Sequence, residues 1–407
     1  MINGNTGWRG NVVPALVVVL ISVPLSMGIA IASGVPPVLG LVTAIVGGLI
    51  IGALAGSPIQ ISGPSAGLAV MVLEIVNGRG LTGLAIIVII MGVLQIASGL
   101  LRLGQVFRAV SPAVINGMLA GIGVLILSTQ FHVMVDDNPK ATGLENLLTI
   151  PEAIYKGIGG GDTPHQWAAF IGVLTLAVLI GIPAIRWGPI SRIPAPVAAV
   201  VVASFVAWVF NAPIQLVDLP DSVVSAFTYP SAESLALLSE PAVWGTAVAL
   251  AFVASAETLL CATAVDQMWN GTKTRYNQEL IAQGIGNMAC GLLGGLPMTG
   301  VIVRSAANVE AGAKTRLSTI LHGTWLLMFV STLAFLLRTI PTAALAAMLV
   351  YTGFKLVNIN AIRELRKFGW GEVLIYVATL GTIVCADLLT GVLVGIGLSA
   401  GKLLYTF

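Results

Sequence analysis

The chain has 407 residues, of which 57% are hydrophobic and 9% are charged, and its formal net charge is +2. A soluble globular protein carries about 25% charged residues, so this composition excludes one and predicts a helical membrane protein. A β-barrel is excluded as well, because the apolar runs are continuous rather than alternating. The sequence has no basic stripe, and we expect no nucleic-acid partner.

Twelve apolar windows are interpreted as full membrane spans, and two further apolar segments are too short to cross a bilayer alone. The short segments lie near 65–76 and 302–312. Counted as broken helices, they bring the total to fourteen elements, which predicts an all-α polytopic fold. The twelve windows lie near 12–33, 37–55, 81–101, 110–130, 166–184, 195–211, 242–265, 279–293, 316–337, 342–354, 371–386 and 388–404.

When all fourteen elements are counted as crossings, the basic and the acidic residues fall on opposite sides of the membrane. The two long loops, 131–165 and 212–241, carry mostly Asp and Glu and fall outside. This positive-inside pattern predicts a multi-pass protein of the plasma (inner) membrane with both termini in the cytoplasm. The residues assigned to cytoplasmic ends are Arg102, Arg108, Arg186, Arg192, Lys273, Arg275, Lys314, Arg316, Lys355, Arg363, Arg366, Lys367 and Lys402.

A repeat is visible in two short motifs. Gly52–Pro58 and Gly291–Pro297 both have the pattern G-x-x-x-G-x-P, 239 positions apart, and each precedes one of the short segments. Seven crossings separate the two copies, and an odd number inverts the second copy in the membrane. Paired, interrupted hydrophobic segments in inverted halves indicate a transporter with its binding site near the bilayer midplane.

Each short segment is predicted to enter as extended backbone and to begin a helix partway across the membrane. Ser62–Ser65 suits the first start, because Pro favours the first helical turn and Ser can cap it. The unpaired N–H groups and positive dipole ends of two such helices would make an anion site. We expect the anion to lie against the backbone of Ser65, Ala66, Gly300, Val301, Ile302 and Val303.

Arg304 is a cation within the second short segment. The 239-residue offset places it opposite Ser65, close to the start of the second half-helix. Arg holds oxyanions with forked hydrogen bonds, so we expect it to line the anion site. The alternatives are a structural pair with an acid, or a side chain that reaches the membrane surface near Lys314.

Glu257 is a carboxylate in the middle of a span, and the residues on its helical face are small. Such a group can bind H⁺ or Na⁺ and couple that ion to the transported anion. The alternative is a static Glu257–Arg304 bridge that closes the core. The histidines are scattered and no nucleotide or metal-ligand motif is present, so we expect no enzyme, no metal and no cofactor beyond the coupling ion.

Three stretches, QISGPSAGLAVMV (60–72), ELIAQGIGNMACGLLGGLPMTG (279–300) and VRSAANVEAGAKTRLS (303–318), resemble the sulfate permease (SulP) family of anion transporters. The resemblance covers nearly the whole chain. It implies a 7+7 inverted repeat, a core domain of helices 1–4 and 8–11, a gate domain of helices 5–7 and 12–14, elevator-type movement, and a homodimer formed through the gate domain. The corresponding segments are 1–130 (helices 1–4 and the start of the gate, helix 5), 131–241 (extracellular loops and helices 6–7), 242–338 (helices 8–11) and 339–407 (helices 12–14).

The resemblance also implies roles for single residues. Glu257 matches the helix-8 acid that helps to hold sodium in members moving bicarbonate with sodium, and Arg304 matches the helix-10 arginine of the anion site. Cys261 falls in the same coupling-ion site, but it and Ala69 stand where those members carry threonines, so a proton is the favoured coupling ion. Members usually continue into a cytosolic STAS domain, whereas this sequence stops at Phe407 without one. Either this is a short member of the family or the sequence is a piece of a longer chain.

These observations predict a secondary active transporter of a small inorganic oxyanion, sulfate or bicarbonate, working by symport with H⁺ or Na⁺. The first alternative is a nucleobase–cation symporter of the same architecture, which would offer an acid or amide where this chain has Arg304. The second is an uncoupled anion channel or exchanger, which has no need of a buried acid such as Glu257.

Overall fold

The computed structural model describes most of the chain, with a few short gaps. Three arginines that the charge pattern assigns to the cytoplasm, Arg108, Arg186 and Arg192, lie outside the described residues, as do parts of the two predicted loops. The described residues are 9–105, 111–140, 142–160, 163–184, 193–218, 227–230, 234–357 and 359–406.

Helices account for almost all of the regular structure. Seven of the described helices are long and apolar enough to cross a membrane by length and composition, and four shorter apolar helices accompany them. We number the main helices α1 (Arg9–Ala32), α2 (Pro37–Leu54), α3 (66–79, whose first turn, Ala66–Leu68, is a 3-10 helix), α4 (81–100), α5 (Pro112–Met134), α6 (Thr163–Gly181), α7 (Ala195–Val209), α8 (Pro241–Met268), α9 (Tyr276–Leu293), α10 (Ile302–Glu310), α11 (Leu317–Leu337), α12 (Thr342–Leu356), α13 (Trp370–Cys385) and α14 (Leu388–Thr406).

Gly80 separates α3 from α4 within one apolar stretch. Its φ of 68° and ψ of −174° are not helical, and glycine adopts such angles without the steric cost that a side chain would add. The sequence windows near 65–76 and 81–101 therefore correspond to two helices, as predicted. Short helices that lie outside the fourteen are Gly143–Leu148, Ile150–Tyr155 and Ile359–Arg366; the first two lie within the predicted loop 131–165.

Two three-residue strands precede the short helices α3 and α10. The strands β1 (Ser62–Pro64) and β2 (Met298–Gly300) pair in antiparallel fashion, with Ser62 opposite Gly300. They are the only strands in the part of the chain described here. The predicted fold class is confirmed: an all-α membrane protein in which half-helices 3 and 10 follow short extended segments.

The predicted alignment of Ser65 with Arg304 is wrong. The helices α2 and α9 end 239 positions apart, at Leu54 and Leu293, whereas the strands begin 236 positions apart. The first copy has three more residues between helix and strand, so the equivalent of Ser65 is Val301, and each is the residue preceding its helical start. The equivalent of Arg304 is the buried apolar residue Leu68.

The chain forms two compact units. Unit 1 contains 1–108, 187–197 and 217–339, and unit 2 contains 109–186, 198–216 and 340–407. Unit 1 thus holds α1–α4 and α8–α11, while unit 2 holds α5, α6, most of α7 and α12–α14.

Close helix packing in each unit depends on a pair of glycines. In unit 1, a Cβ added to Gly92 of α4 would lie 2.6 Å from the carbonyl oxygen of Gly284 in α9. In unit 2, a Cβ on Gly123 of α5 would lie 2.6 Å from the carbonyl oxygen of Gly353 in α12. Small residues allow membrane helices to approach this closely, so any larger side chain at these positions would separate the helices.

Candidate functional site

The paired strands bring the starts of α3 and α10 together inside unit 1. Both residues before the helices are extended, with φ −106° and ψ 132° at Ser65 and φ −108° and ψ 114° at Val301. The N–H of Val301 donates to the carbonyl of Ile61 at 2.8 Å, and the N–H of Gly300 donates to Oγ1 of Thr258 in α8 at 3.1 Å. The second half-helix is therefore held by the first strand segment and by α8.

The start of α3 is occupied by side chains of the protein itself. Ser65 Oγ accepts from the N–H of Gly67 at 3.1 Å, which confirms the predicted cap, and it donates to Oε2 of Glu257 at 2.7 Å. A Cβ on Gly67 would lie 1.8 Å from Oε1 of Glu257, so only glycine lets the carboxylate approach the helix so closely. Pro64 lies in β1 and not in the first helical turn as expected.

No side chain caps the start of α10 in the part of the chain described here. Val301 cannot cap the helix and makes no side-chain cap bond, and the first N–H groups of a helix have no intrahelical acceptor. The side chains of Ile302 and Val303 are 43% and 51% exposed, so this end of the helix is accessible. The two half-helix starts therefore differ: a carboxylate covers one, and the other presents uncapped N–H groups.

Arg304 is the third residue of α10, and its guanidinium is fully buried. Nε, Nη1 and Nη2 have no hydrogen-bond partner among the described residues. A Cβ added to Gly63 would lie 2.5 Å from Nη1, which places the guanidinium directly against β1. In this structure Arg304 forms no bridge with Glu257 and does not reach the surface, so both alternatives for it are wrong; the guanidinium is enclosed beside the strands.

Cys261 lies one turn beyond Glu257 on α8. Its thiol is fully buried, and its Sγ lies 3.5 Å from Oγ of Ser305 in α10. Its apolar neighbours include Ile59 and Val265. The structure thus places Cys261 between α8 and α10, where its hydrogen-bond partner is Ser305. No group of acidic, histidine or cysteine side chains that could hold a metal ion occurs among the described residues.

A row of polar side chains on α9, which the sequence interpretation missed, holds the strands in place. Glu279, Gln283 and Asn287 are spaced by four residues and are fully buried. Glu279 accepts from the N–H of Ser57 at 2.9 Å and from Gln60 at 3.2 Å. The regular spacing in ELIAQGIGN was the signal that could have revealed this row, because four residues make about one helical turn.

The other two members of this row, Gln283 and Asn287, each form hydrogen bonds with one of the two strands. Gln283 Nε2 donates to Oγ of Ser62 at 2.7 Å. Asn287 bonds both backbone groups of Met298: its Oδ1 accepts from the N–H at 2.8 Å, and its Nδ2 donates to the carbonyl at 3.2 Å. Since β1 and β2 lead into α3 and α10, α9 fixes where the two half-helices begin.

The Sulfate permease family matches residues 8–379 of the chain. The chain belongs to the Sulfate permease family. The putative sulfate transporter YvdB of Bacillus subtilis (strain 168) is 28% identical over 398 residues, which are 96% of this chain and 72% of that protein. The bicarbonate transporter BicA of Picosynechococcus sp. (strain ATCC 27264 / PCC 7002 / PR-6) is 26% identical over 411 residues, 95% of this chain and 69% of that protein.

Among solved structures, the transmembrane domain of a cyanobacterial bicarbonate transporter BicA matches with a TM-score of 0.77 at 23% identity, covering 96% of this chain and 98% of that one. This similarity supports the membrane-transporter fold. The members of the Sulfate permease family named here are transporters and not enzymes, so the chain is a multi-pass membrane protein for anion transport.

Proposed function

We propose that the protein is a secondary active transporter of a small inorganic oxyanion, sulfate or bicarbonate, by symport with H⁺ or Na⁺. One observation carries the proposal: the uncapped start of α10 and the carboxylate-covered start of α3 lie side by side at the ends of two paired strands. The first suits an anion and the second suits a cation. The names of the sulfate and bicarbonate relatives are in keeping with this substrate class.

The anion is proposed to bind at the start of α10. Backbone N–H groups there provide donors, and the dipole of the helix adds partial positive charge. The binding residues are Gly300, Val301, Ile302 and Val303 on this side and Ser65 and Ala66 on the other. Arg304 contributes its full positive charge from the first turn of the helix. Its side chain is buried and does not contact solvent.

The coupling cation is proposed to bind at Glu257. Its carboxylate accepts a hydrogen bond from Ser65, and the residue as a whole is half-buried, whereas Arg304 is fully buried. A proton or Na⁺ at Glu257 would neutralise the negative charge that lies beside the anion site, so each ligand favours the other. Cys261 is proposed as part of this coupling site because it lies one turn from Glu257 on α8 and its thiol is directed toward Ser305 of α10.

The two compact units are proposed to act as the core and the gate of an elevator-type transporter. Unit 1 contains both half-helices, both strands and Glu257, so it carries the complete proposed site. Unit 2 is proposed as the gate, through which two copies form a homodimer. We propose an inner-membrane location with both termini in the cytoplasm, on the strength of the positive-inside charge pattern.

The decisive experiment is uptake of a panel of radiolabelled anions into proteoliposomes under imposed H⁺ and Na⁺ gradients. Saturable, gradient-dependent uptake of sulfate or bicarbonate is expected. Arg304→Gln should weaken anion affinity by about tenfold or more, since one full charge is lost from a buried site, while Arg304→Lys should retain part of it. Arg79→Ala, which removes a surface salt bridge with Glu240, serves as control.

Other outcomes would favour a different function. Unchanged uptake and affinity in Arg304→Gln would place the anion elsewhere. Uptake of nucleobases in place of anions would support the nucleobase–cation symporter. Anion flux that does not saturate and ignores both gradients would indicate an uncoupled channel or exchanger.

A further inference from the structure

An exposed apolar stripe lies on unit 2, within the loop 131–165 that the charge pattern assigns to the outside. The stretch 143–158, called here the loop helix, contains the helices Gly143–Leu148 and Ile150–Tyr155 and the first residues of the helical turn that follows. Its exposed side chains recur with the i, i+3, i+4, i+7 spacing of one helical face, and exposed Pro151 fills the middle of the pattern. The large hydrophobic members of the stripe are Leu144, Leu147, Leu148, Ile154, Tyr155 and Ile158.

The other faces of the loop helix have a different character. Asn146 and Ala153, seven residues apart and therefore on one face, are only 3% and 0% exposed. A flank between the two faces carries Glu145, Glu152 and Lys156, and Lys156 pairs with Glu152 at 3.0 Å. An apolar face beside a charged flank is typical of helices at a membrane boundary. The described part of the chain covers the Asn146 face and leaves the apolar stripe open.

Two glycine contacts place the loop helix alongside the spans and not above them. At its start, Gly143 is packed against the side chain of Leu125 in α5, nine residues before that helix ends, which is about 13 Å along its axis. Towards the other end, a Cβ on Gly157 would lie 2.9 Å from Cβ of Ala169, six residues and about 9 Å inside the start of α6. The loop helix therefore occupies a depth that α5 and α6 also occupy.

The end of α13 leaves room for the loop helix at this depth. With 16 residues, α13 is about 24 Å long, whereas the hydrocarbon core of a bilayer is about 30 Å thick. A Cβ on Gly143 would lie 3.5 Å from the carbonyl oxygen of Val384, one residue before α13 ends. The loop helix thus begins at the end of a span that is too short to cross the hydrocarbon by itself.

Asn146 supplies the hydrogen bonds that a chain turning back at membrane depth needs. Its Oδ1 accepts from the N–H of Lys140 at 2.7 Å, and its Nδ2 donates to the carbonyls of Lys140 and Thr142 at 3.0 and 2.8 Å. Its own carbonyl lies 3.1 Å from Nε2 of His132 in α5. Non-helical backbone is tolerated at membrane depth only where the protein satisfies its polar groups. The turn before the loop helix meets this condition at Lys140 and Thr142.

We propose that the loop helix is a re-entrant segment whose apolar stripe contacts lipid acyl chains of the outer leaflet. The exposed surface of α6 continues the stripe: Phe170, the residue after Ala169, is 52% exposed, and its ring lies 5.9 Å from that of Trp167. Aromatic side chains are enriched at the membrane–water boundary. The segment enters and leaves the leaflet on the same side, so the number of crossings is unchanged. Its contact with lipid holds unit 2 in the bilayer, whichever anion is transported.

The test places single spin labels on the loop helix in vesicles of phosphatidylethanolamine and phosphatidylglycerol. The labels are attached to Leu148→Cys, Tyr155→Cys and Ile158→Cys in a background without the native cysteines, and Glu152→Cys on the charged flank is the matched control. Oxygen concentrates among acyl chains, whereas a nickel–EDDA complex stays in water. The three stripe labels are expected to collide more often with oxygen than with nickel, at a depth of about 5–10 Å, and the label at 152 should show the reverse order.

Two outcomes of this experiment would overturn the proposal. More frequent collision with nickel than with oxygen at the stripe positions would mean that the stripe faces water. Stripe labels that neither reagent reaches would mean that a protein surface, such as a second copy of this chain, covers the stripe in place of lipid.

A second measurement uses the unaltered chain and so covers the case in which the cysteine variants do not fold. The same vesicles carry a phospholipid with a diazirine in the upper part of one acyl chain, and mass spectrometry locates the adducts after illumination. Adducts are expected on the peptide that contains 144–158 and on α6, which exposes Phe170. The exposed turn 271–273 should remain unmodified. Adducts on α6 without any on 144–158 would contradict the proposed lipid contact.

Discussion

The hydroxyl of Ser65 lies 2.7 Å from Oε2 of Glu257, so a capping residue and a carboxylate share the N-terminus of α3. The same hydroxyl accepts from the N–H of Gly67. A carboxylate at this end of a helix is stabilised by the dipole, by about 0.3–1 kcal/mol at an exposed position and more when partly buried. Ser65 therefore connects the protonation or cation binding of Glu257 to the geometry of the half-helix start.

Replacement of Glu257 by Gln is expected to abolish gradient-driven accumulation of the anion, because the neutral amide cannot bind the coupling cation. Anion binding and counterflow exchange should survive in part, since the start of α10 is unchanged. The measurement is uptake under an imposed pH or Na⁺ gradient, beside exchange without a gradient. Glu240→Gln is the matched control, because it alters only an exposed salt bridge with Arg79. Wild-type accumulation in Glu257→Gln would mean that Glu257 is structural.

Replacement of Gly67 by Ala is expected to displace the carboxylate of Glu257. The added Cβ would lie 1.8 Å from Oε1, far inside van der Waals contact, so the carboxylate must move away from the helix start. We expect coupled uptake to fall by about tenfold or more, as for other misplacements of reacting groups. Gly78→Ala on the same helix is the control, because no atom lies within 4 Å of its added Cβ. Equal uptake by the two variants would contradict the assigned position of Glu257.

Replacement of Asn287 by Ala is expected to loosen β2 and with it the start of α10. Each backbone group of Met298 left unpaired in the interior costs about 1–3 kcal/mol. The variant should therefore unfold at lower temperature, and it should also bind the anion less tightly, because the N–H groups of α10 are no longer held in position. Thermal unfolding and anion binding test the two effects separately. The control is Asn116→Ala, which should change neither property, because the half-buried Asn116 bonds only to the carbonyl of Pro112 in its own helix. Normal anion affinity in Asn287→Ala would show that α9 does not position the anion site.

Much of this architecture could be predicted from the sequence, because apolar length and local glycine signals are properties of neighbouring residues. The break at Gly80 and the cap at Ser65 are examples. The predicted alignment of Ser65 with Arg304 is wrong because the first copy of the repeat has three more residues between the end of its helix and the start of its strand. The enclosure of Arg304 against Gly63 could not be foreseen either, since it depends on packing between segments more than 200 residues apart, which no local pattern encodes.

The direction of the fourteen crossings is still a prediction, and single cysteines can test it. Arg102 and Lys273 are expected to face the cytoplasm, while Asp137 and Asp218 face outside. Asp218 is the better external probe, because Asp137 is paired with Lys156 and His132 and is only 10% exposed. The background must lack the three native cysteines, and above all Cys385, which is exposed while Cys261 and Cys290 are buried.

An impermeant thiol reagent added to intact cells should label a cysteine at position 218 and leave one at 273 unlabelled until the membrane is opened. The physical reason is the bias of Lys and Arg toward cytoplasmic loops, which follows from the cost of moving them across the membrane during insertion. Of the two half-helices only α3 precedes both positions, and it must count as a crossing for this result, because a crossing shifts every later loop to the opposite side. Labelling at 273 from outside would therefore overturn the fourteen-element count, with α3 as the first crossing in doubt.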